Sequence, residues 1–297
     1  MDTSTAVPFN ALLTSSAARD GVDAPSRAIE RELAQLRARV RELSAELVDA
    51  QESVRRHVAR ELHDGVGAEL TATRFALAGI ETWLPADAPS QCTAALAVVS
   101  RSLDAVCAAN REAVAQLHAP SFEMGVAAAL RHWSRDFAAR TGLHTSFGCS
   151  DDARLARLSA DAALAVFRVA QEALNNVAKH ARASCVDVRI EAGTRHLKLF
   201  VSDDGIGMPR GGHKKNRSQH GGHFGLAGMQ ARCVAFDGTL RVSARRASVN
   251  RAVEANDATA SASGTSPRGT LIQARFGWDA LLAPVSTVRA SRRALQS

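Results

Sequence analysis

The chain has 297 residues, 46% of them hydrophobic, and a formal net charge of +7, enough to build one large core or two ordinary ones. No apolar run approaches the roughly 18 residues of a membrane-spanning helix, so no membrane span is expected, and the opening MDTSTAVPFNALLTSSAARDG lacks the basic and apolar regions of a secretory signal. Positive charge is spread along the chain with short clusters at 213–217, 245–246 and 289–293, which reads as a solvated surface and not as a face for direct nucleic-acid binding.

Residues 1–25 mix Ser, Thr, Ala, Pro and Gly and are expected to be flexible. From Ile29 onward Ile29, Leu33, Leu36, Val40, Leu43, Leu47, Ala50 and Val54 step alternately by four and three, which predicts a coiled coil over 26–55. The step then stays at four through Val58, Leu62, Val66 and Leu70, a stutter of the kind that locally unwinds a supercoil. That stripe reads as buried packing, and His63 and Asp64 sit at its edge in the stretch RHVARELHDGVGAEL. The helix is expected to run to about Leu84, where PADAPS breaks it, and a second helix over 91–117 carries Leu96, Val99, Leu103, Val106, Ala113 and Leu117 on one face. Two helices joined by a short Pro-containing turn predict an antiparallel hairpin over 56–118, and two hairpins from a homodimer would close a four-helix bundle. HAPSF at 118–122 reads as a linker.

From 122 to 278 the pattern changes. A helix ending at Gly142 precedes a strand in LHTSFGC, and Ser159 is the expected N-cap of a long helix through Lys179, with Leu164, Phe167, Ala170, Leu174 and Val177 inward. CVDVRI and LKLFVSD read as strands around the turn AGTRH, and GTLRVSA (238–244) and GTLIQARF (269–276) as a strand pair. Residues 245–268 are low in complexity and read as a disordered insertion, with 279–297 a tail. Helices on one face of a mixed sheet make an α+β layer arrangement. Cys92, Cys107, Cys149, Cys185 and Cys233 are widely spaced without a CxxC, the pattern of reduced thiols in a cytoplasmic protein. Trp83, Trp133 and Trp278 read as core or edge packing, and His57 as exposed.

Four short stretches carry chemistry. In QEALNNVAKHA (171–181), Glu172 and Asn176 share one helix face, a costly pair to bury unless something uses it. The Asn oxygen suits hydrated Mg²⁺, and Lys179 and His180 lie where they could meet phosphate. Taken alone, the stretch also fits a polar helix surface. In DDGIGMP (203–209), Gly205 and Gly207 allow a tight turn and close approach, and Asp204 could accept from an exocyclic amine such as that of adenine; alone it is equally an ordinary turn. GGHFGLAGM (221–229) sets Gly225 and Gly228 around a helix expected to begin near Leu226, whose N-terminus suits phosphate. The Gly-rich segment 208–224 between them reads as a mobile lid, and its His213, His220 and His223, without Cys or acidic partners, do not read as a metal site. The fourth stretch is GT at 269–270, opening a strand; no GxxxxGK[ST] occurs, which excludes a P-loop.

In order, RELHDGVG, QEALNNVAKHA, DDGIG, HFGLAGM and GT resemble the H box, N box and glycine boxes of bacterial two-component sensor histidine kinases. They are most similar to the subfamily in which Asp follows the phosphoacceptor and which partners response regulators with LuxR-type helix-turn-helix outputs. The resemblance covers roughly residues 50–278. It implies a coiled coil leading into a dimeric helical-hairpin four-helix bundle, followed by an α/β-sandwich GHKL-type ATP-binding domain. It makes His63 the phosphoacceptor, with Asp64 on the imidazole's other nitrogen and Glu172 orienting or deprotonating. Asn176 would ligate Mg²⁺, with Lys179 and His180 near the phosphates. Asp204, Gly205 and Gly207 would hold adenine, supported by Thr270, while Gly225, Leu226 and Gly228 would shape the phosphate-binding end. The implied reaction takes the phosphoryl group from Mg-ATP to His63 and on to an Asp of a receiver domain, controlling transcription through that partner.

One departure matters. The subfamily commonly has Gln four residues after the Asp that follows the phosphoacceptor, where it positions water for dephosphorylating the partner; here that position is Ala68. A kinase with weak phosphatase activity is therefore expected. Two other readings stand beside it: a catalytically silent ATP-binding scaffold, against which His63, Glu172 and Asn176 argue, and an anti-sigma-type serine kinase, which would not need a His-bearing hairpin.

Overall fold

The computed structural model describes residues 17–207, 223–245 and 269–282. The expected lid up to 222, most of the insertion and most of the tail lie outside the described residues. The first element, α1 (Ala17–Glu61), begins inside the stretch expected to be flexible. It continues through a π-helical turn (Leu62–Val66) into α2 (Gly67–Trp83), with helical backbone angles on both sides of the turn. α3 (Ser90–Leu117) returns antiparallel to form the hairpin.

The π turn is the structural answer to the stutter. In an α-helix each four-residue step overshoots a turn by about 40°, so the three steps from Val58 to Leu70 would carry the stripe about 120° around the axis. One residue absorbed by a π turn takes back about 100° and nearly realigns it. Within the single chain the stripe is partly open: Val58 and Val66 are 39% and 43% exposed, and Leu62 and Leu70 are half-buried. The heptad residues above it, from Ile29 to Leu47, are exposed as well. An apolar seam of this length is left for another helix to cover. On α3 the row turned toward α2 is Leu96, Ser100, Leu103, Cys107, Asn110 and Val114, whereas Val99, Val106 and Ala113 face outward. Trp83, expected in packing, is 84% exposed at the end of α2. By length and composition α3 is apolar enough to cross a membrane. That corrects the expectation drawn from uninterrupted apolar runs, although Arg101 and Asp104 interrupt the helix and it packs on α2.

The second half is a two-layer α/β unit. α4 (Gly125–Thr141) ends on Gly142 in the left-handed conformation, φ 71°, as the sequence signal requires. A five-stranded sheet, ordered β1-β2-β3-β5-β4, is built from β1 (His144–Cys149), β2 (Cys185–Ala192), β3 (His196–Asp203), β4 (Thr239–Ala244) and β5 (Thr270–Gly277). β1 runs parallel to β2, and every other pair is antiparallel, including the expected β4–β5 pair. α5 (Ala160–Asn176) starts at the expected cap, where the Ser159 hydroxyl accepts from the Ala162 N–H at 3.2 Å. It ends three residues early and passes into a second π turn (Val177–Ala181). α6 (His223–Ala235) begins three residues before Leu226, and a short α7 (Trp278–Leu282) closes the described chain. Inward residues of β2, β3 and β5 alternate cleanly and share one core with α4, α5 and α6; Val166, Phe167, Leu174, Leu199, Met229 and Phe276 are all at most 1% exposed.

Candidate functional site

The candidate site residues gather where β3 ends, β5 begins and α5 and α6 meet. β3 delivers two adjacent aspartates into one turn, and the pleat sends them to opposite sides. Asp203 continues the inward row Leu197, Leu199, Val201 and is 2% exposed. Its Oδ1 accepts from the Gly205 N–H at 2.9 Å and the Thr270 N–H at 3.1 Å. No described residue donates to its Oδ2 among the hydrogen bonds found. Asp204, the expected adenine ligand, is exposed, and its Oδ1 accepts from the N–H groups of Ser184 and Cys185 at 2.8 and 2.9 Å. Partial burial opposes ionisation of Asp204, but those two N–H groups and the Arg245 charge outweigh it and hold its carboxyl below the usual range. Asp204 is thus a clamp on the start of β2, and the carboxylate turned inward at this turn is Asp203.

Backbone contact closes the floor of this turn. A Cβ at Gly205 would stand 2.2 Å from the Ala181 carbonyl oxygen, and the Ile206 N–H donates to that same oxygen at 2.8 Å. Gly269, at φ 122°, lies against the Asp203 carbonyl and leads directly into Thr270. Asp203, Gly205, Gly207 and Thr270 are therefore brought together as expected, with Asp203 in place of Asp204.

Glu172 and Asn176 stand one turn apart on α5, both half-buried. A Cβ at Gly225 would lie 2.3 Å from Glu172 Oε1, so the glycine is what allows the start of α6 to close on that carboxylate. Lys179 and His180 are exposed on the second π turn. Leu226 packs against the core edge. Gly228 is buried, with the Gln51 side chain of α1 and the Arg232 guanidinium around it. One amide oxygen at Asn176, with a carboxylate one turn before it, is a donor set that fits Mg²⁺ held chiefly by phosphate oxygens and water.

His63 and Asp64 are exposed on the first π turn. The Leu62 carbonyl there accepts the π-type bond from the Gly67 N–H and a second one from Asn110 Nδ2 of α3 at 3.3 Å. Asn110 escaped the sequence reading, because a lone amide on a helix face gives no signal until the partner carbonyl is known. Among the described residues no hydrogen bond or ion pair joins His63 to Asp203, Glu172 or Asn176.

Two family descriptions match the chain: "Histidine kinase" over residues 54–122 and "Histidine kinase-, DNA gyrase B-, and HSP90-like ATPase" over 161–277. Over 210 residues it is 36% identical to the signal transduction histidine-protein kinase/phosphatase UhpB of Salmonella typhimurium, covering 69% of this chain and 39% of that protein. The sensor histidine kinase MctS of Rhizobium johnstonii is 35% identical over 71% of this chain and 44% of its own length. The oxygen sensor histidine kinase NreB of Staphylococcus carnosus is 29% identical over 69% and 56% respectively. The chain thus spans between two-fifths and somewhat over half of these relatives. The His-bearing helical hairpin, the pocket on the five-stranded sheet and these matches agree, and the chain belongs to the sensor histidine kinase family.

Proposed function

We propose that this chain is a cytoplasmic, homodimeric histidine kinase that takes the γ-phosphoryl group of Mg-ATP onto His63 and passes it to an Asp of a response-regulator receiver domain. The observation that carries the reading is the pairing, in one chain, of an exposed imidazole beside Asp64 with a pocket built on Asp203, Glu172 and Asn176. Oδ1 of Asp203 holds both walls of the loop, and Oδ2, to which no described residue donates, would accept from an exocyclic amine. Asp64 would hold the proton on His63 Nδ1, leaving the Nε2 lone pair to attack phosphorus, and would take that proton as the ring becomes cationic. A P–N bond forms as the bond to the β–γ bridging oxygen breaks, and its electron pair leaves with ADP. Glu172 orients the reacting groups, and Lys179 and His180 offer positive charge to the phosphates. Mg²⁺, held by Asn176 with phosphate and water, neutralises charge on the phosphate oxygens when bound.

The exposed seam of α1 and α2 supports a second copy as the covering partner. The family's partners support a regulator with a LuxR-type output that controls transcription, so this chain need not touch nucleic acid. One relative's name includes phosphatase. Here Ala68 cannot hydrogen-bond a water, so unphosphorylated protein added to a phosphorylated regulator without nucleotide is expected to release phosphate slowly. Ala68→Gln is expected to speed that release, and a fast wild type would refute the assignment.

Incubation with Mg²⁺ and γ-labelled ATP tests the kinase reading. Acid-labile, alkali-stable label is expected on the wild type and is lost in His63→Gln and Asn176→Ala. No label despite ATP binding would favour the scaffold reading, and acid-stable label the serine-kinase one.

A further inference from the structure

Among the described residues two that are not glycine hold a positive φ, Arg182 at 49° and Asp237 at 52°. Left-handed backbone brings Cβ too close to the following carbonyl, and Asp is among the few side chains that tolerate it. Asp237 is thus of a suitable type, and its carboxylate is engaged, accepting from Arg41 Nη1 at 2.6 Å. Arg182 is neither. It takes φ 49° and ψ 40° directly after the second π turn, where the chain leaves α5 for β2. Glycine or asparagine would end that turn with less strain.

The backbone around Arg182 explains the reversal. The Ala181 carbonyl accepts from the Ile206 N–H at 2.8 Å, and a Cβ at Gly205 would stand 2.2 Å from the same oxygen. Residue 181 is therefore pinned against the Asp203–Gly207 turn. Soon after it, the Ser184 N–H has to reach Asp204 Oδ1, which it does at 2.8 Å. Reversing the chain in so few residues is what a left-handed residue at a helix end does.

The Asp203–Gly207 turn is bonded on two sides, and an arginine stands at each. On the β5 side Arg245 is committed. Its backbone N–H donates to the Gly269 carbonyl at 3.1 Å and its Nη1 to the Asp203 carbonyl at 3.4 Å. On the α5 side Arg182 is exposed and makes no hydrogen bond, ion pair or ring contact with any described residue. Asp204 does not engage it, since that carboxylate accepts from the Ser184 and Cys185 N–H groups. Lys179 and His180, exposed on the same turn, have no acidic partner among the described residues either. Three basic side chains thus stand together just beyond Asn176. The C-terminal end of a helix favours cations by itself. That accounts for their charge, but not for an arginine at a strained position. A long cation held where a small residue would sit better is explained by an anion that binds there.

We propose that Arg182 binds the phosphate chain of the nucleotide, as a third basic group beside Lys179 and His180. This rests on the ATP pocket proposed above. The left-handed backbone holds the guanidinium beside the Asp203–Gly207 turn, where it gives phosphate oxygens both charge and hydrogen bonds. Nucleotide affinity and the stability of the ligand-free domain then oppose each other at this residue, and a substitution moves them in opposite directions.

The test uses the full chain, calorimetric titration with the β,γ-imido analogue of ATP and Mg²⁺, and thermal unfolding without ligand; no phosphoryl transfer is needed. Arg182→Asn and Arg182→Gly fit the left-handed backbone and lack the charge. Both are expected to melt about 2 °C above wild type and to bind the analogue about three- to fivefold more weakly. Arg182→Lys, which keeps a cation and the strain, is expected to bind within about twofold of wild type. The gap between wild type and Arg182→Asn is expected to close as salt approaches about 1 M, where the screening length falls to about 3 Å. Unchanged affinity in Arg182→Asn, with a wild type that binds, overturns the proposal and leaves the pocket standing. A loss that ignores salt, that Arg182→Lys shares, or that comes with a lower melting temperature assigns Arg182 to the folding of the turn and overturns it as well. A wild type that does not bind the analogue removes the pocket itself.

Discussion

Two neighbouring aspartates divide one turn between them, and the division follows from strand parity. Asp203 is in phase with Leu197, Leu199 and Val201 and goes inward; Asp204 is out of phase and serves backbone N–H groups at the surface. Asp203→Asn is expected to lower ATP affinity by about 2 kcal/mol or more, as loss of a charge-assisted hydrogen bond does. Asp204→Asn is expected to change that affinity by less than about 0.5 kcal/mol. Calorimetric titration of both variants decides the point, and equal losses would contradict the assignment. Both signals were legible in the residues. The period-two row of β3 ends on Asp203, and Asp203, not Asp204, stands two residues before Gly205 and four before Gly207 in a D-x-G-x-G spacing. Gly228 was not legible in this way, because its neighbour Gln51 lies far away in sequence on another helix.

Among the elements, those with strong periodicity or a named cap emerged from the sequence nearly as they stand: the hairpin, the Ser159 cap, the Gly142 stop and the β4–β5 pair. The two π turns did not, because no residue type marks them, although the four-residue stutter signalled that α1 changes its winding at His63. The face of α1 that packs on α6 was hidden for another reason. It contains Arg41, Glu52 and Arg55, and a charged position on a coiled coil reads as solvated until a partner with opposite charge is known. The first π turn leans on Asn110, whose Nδ2 donates to the Leu62 carbonyl. Asn110→Ala is expected to cost about 1 kcal/mol of stability and to slow phosphorylation of His63 while leaving ATP affinity unchanged. Asn110→Gln, which keeps an amide donor, is expected to recover part of the rate. A uniform loss of ATP binding and rate in Asn110→Ala would mean that the residue matters only to folding.

Across the whole molecule, one long helix serves two interfaces. Its seam, with Ile29, Leu36 and Val54 at 64%, 59% and 61% exposure, is open for the second copy proposed above, while its opposite face packs on the ATP-binding domain. Leu36→Lys with Leu43→Lys is expected to convert a dimer to a monomer in analytical ultracentrifugation without loss of ATP binding, since the pocket lies wholly outside the seam. A variant that stays dimeric would move the interface elsewhere. The account as a whole stands on the phosphorylated side chain, and trypsin isolates it: cleavage after Arg60 and Arg74 gives a peptide of residues 61–74 with His63 as its one histidine and Thr71 and Thr73 as other acceptors. The most direct measurement is mass-spectrometric mapping of that peptide at alkaline pH after incubation with Mg-ATP. One acid-labile phosphoryl group on His63 is the expected result. A phosphoryl group on Thr71, Thr73 or another peptide, with His63 unmodified, would contradict it.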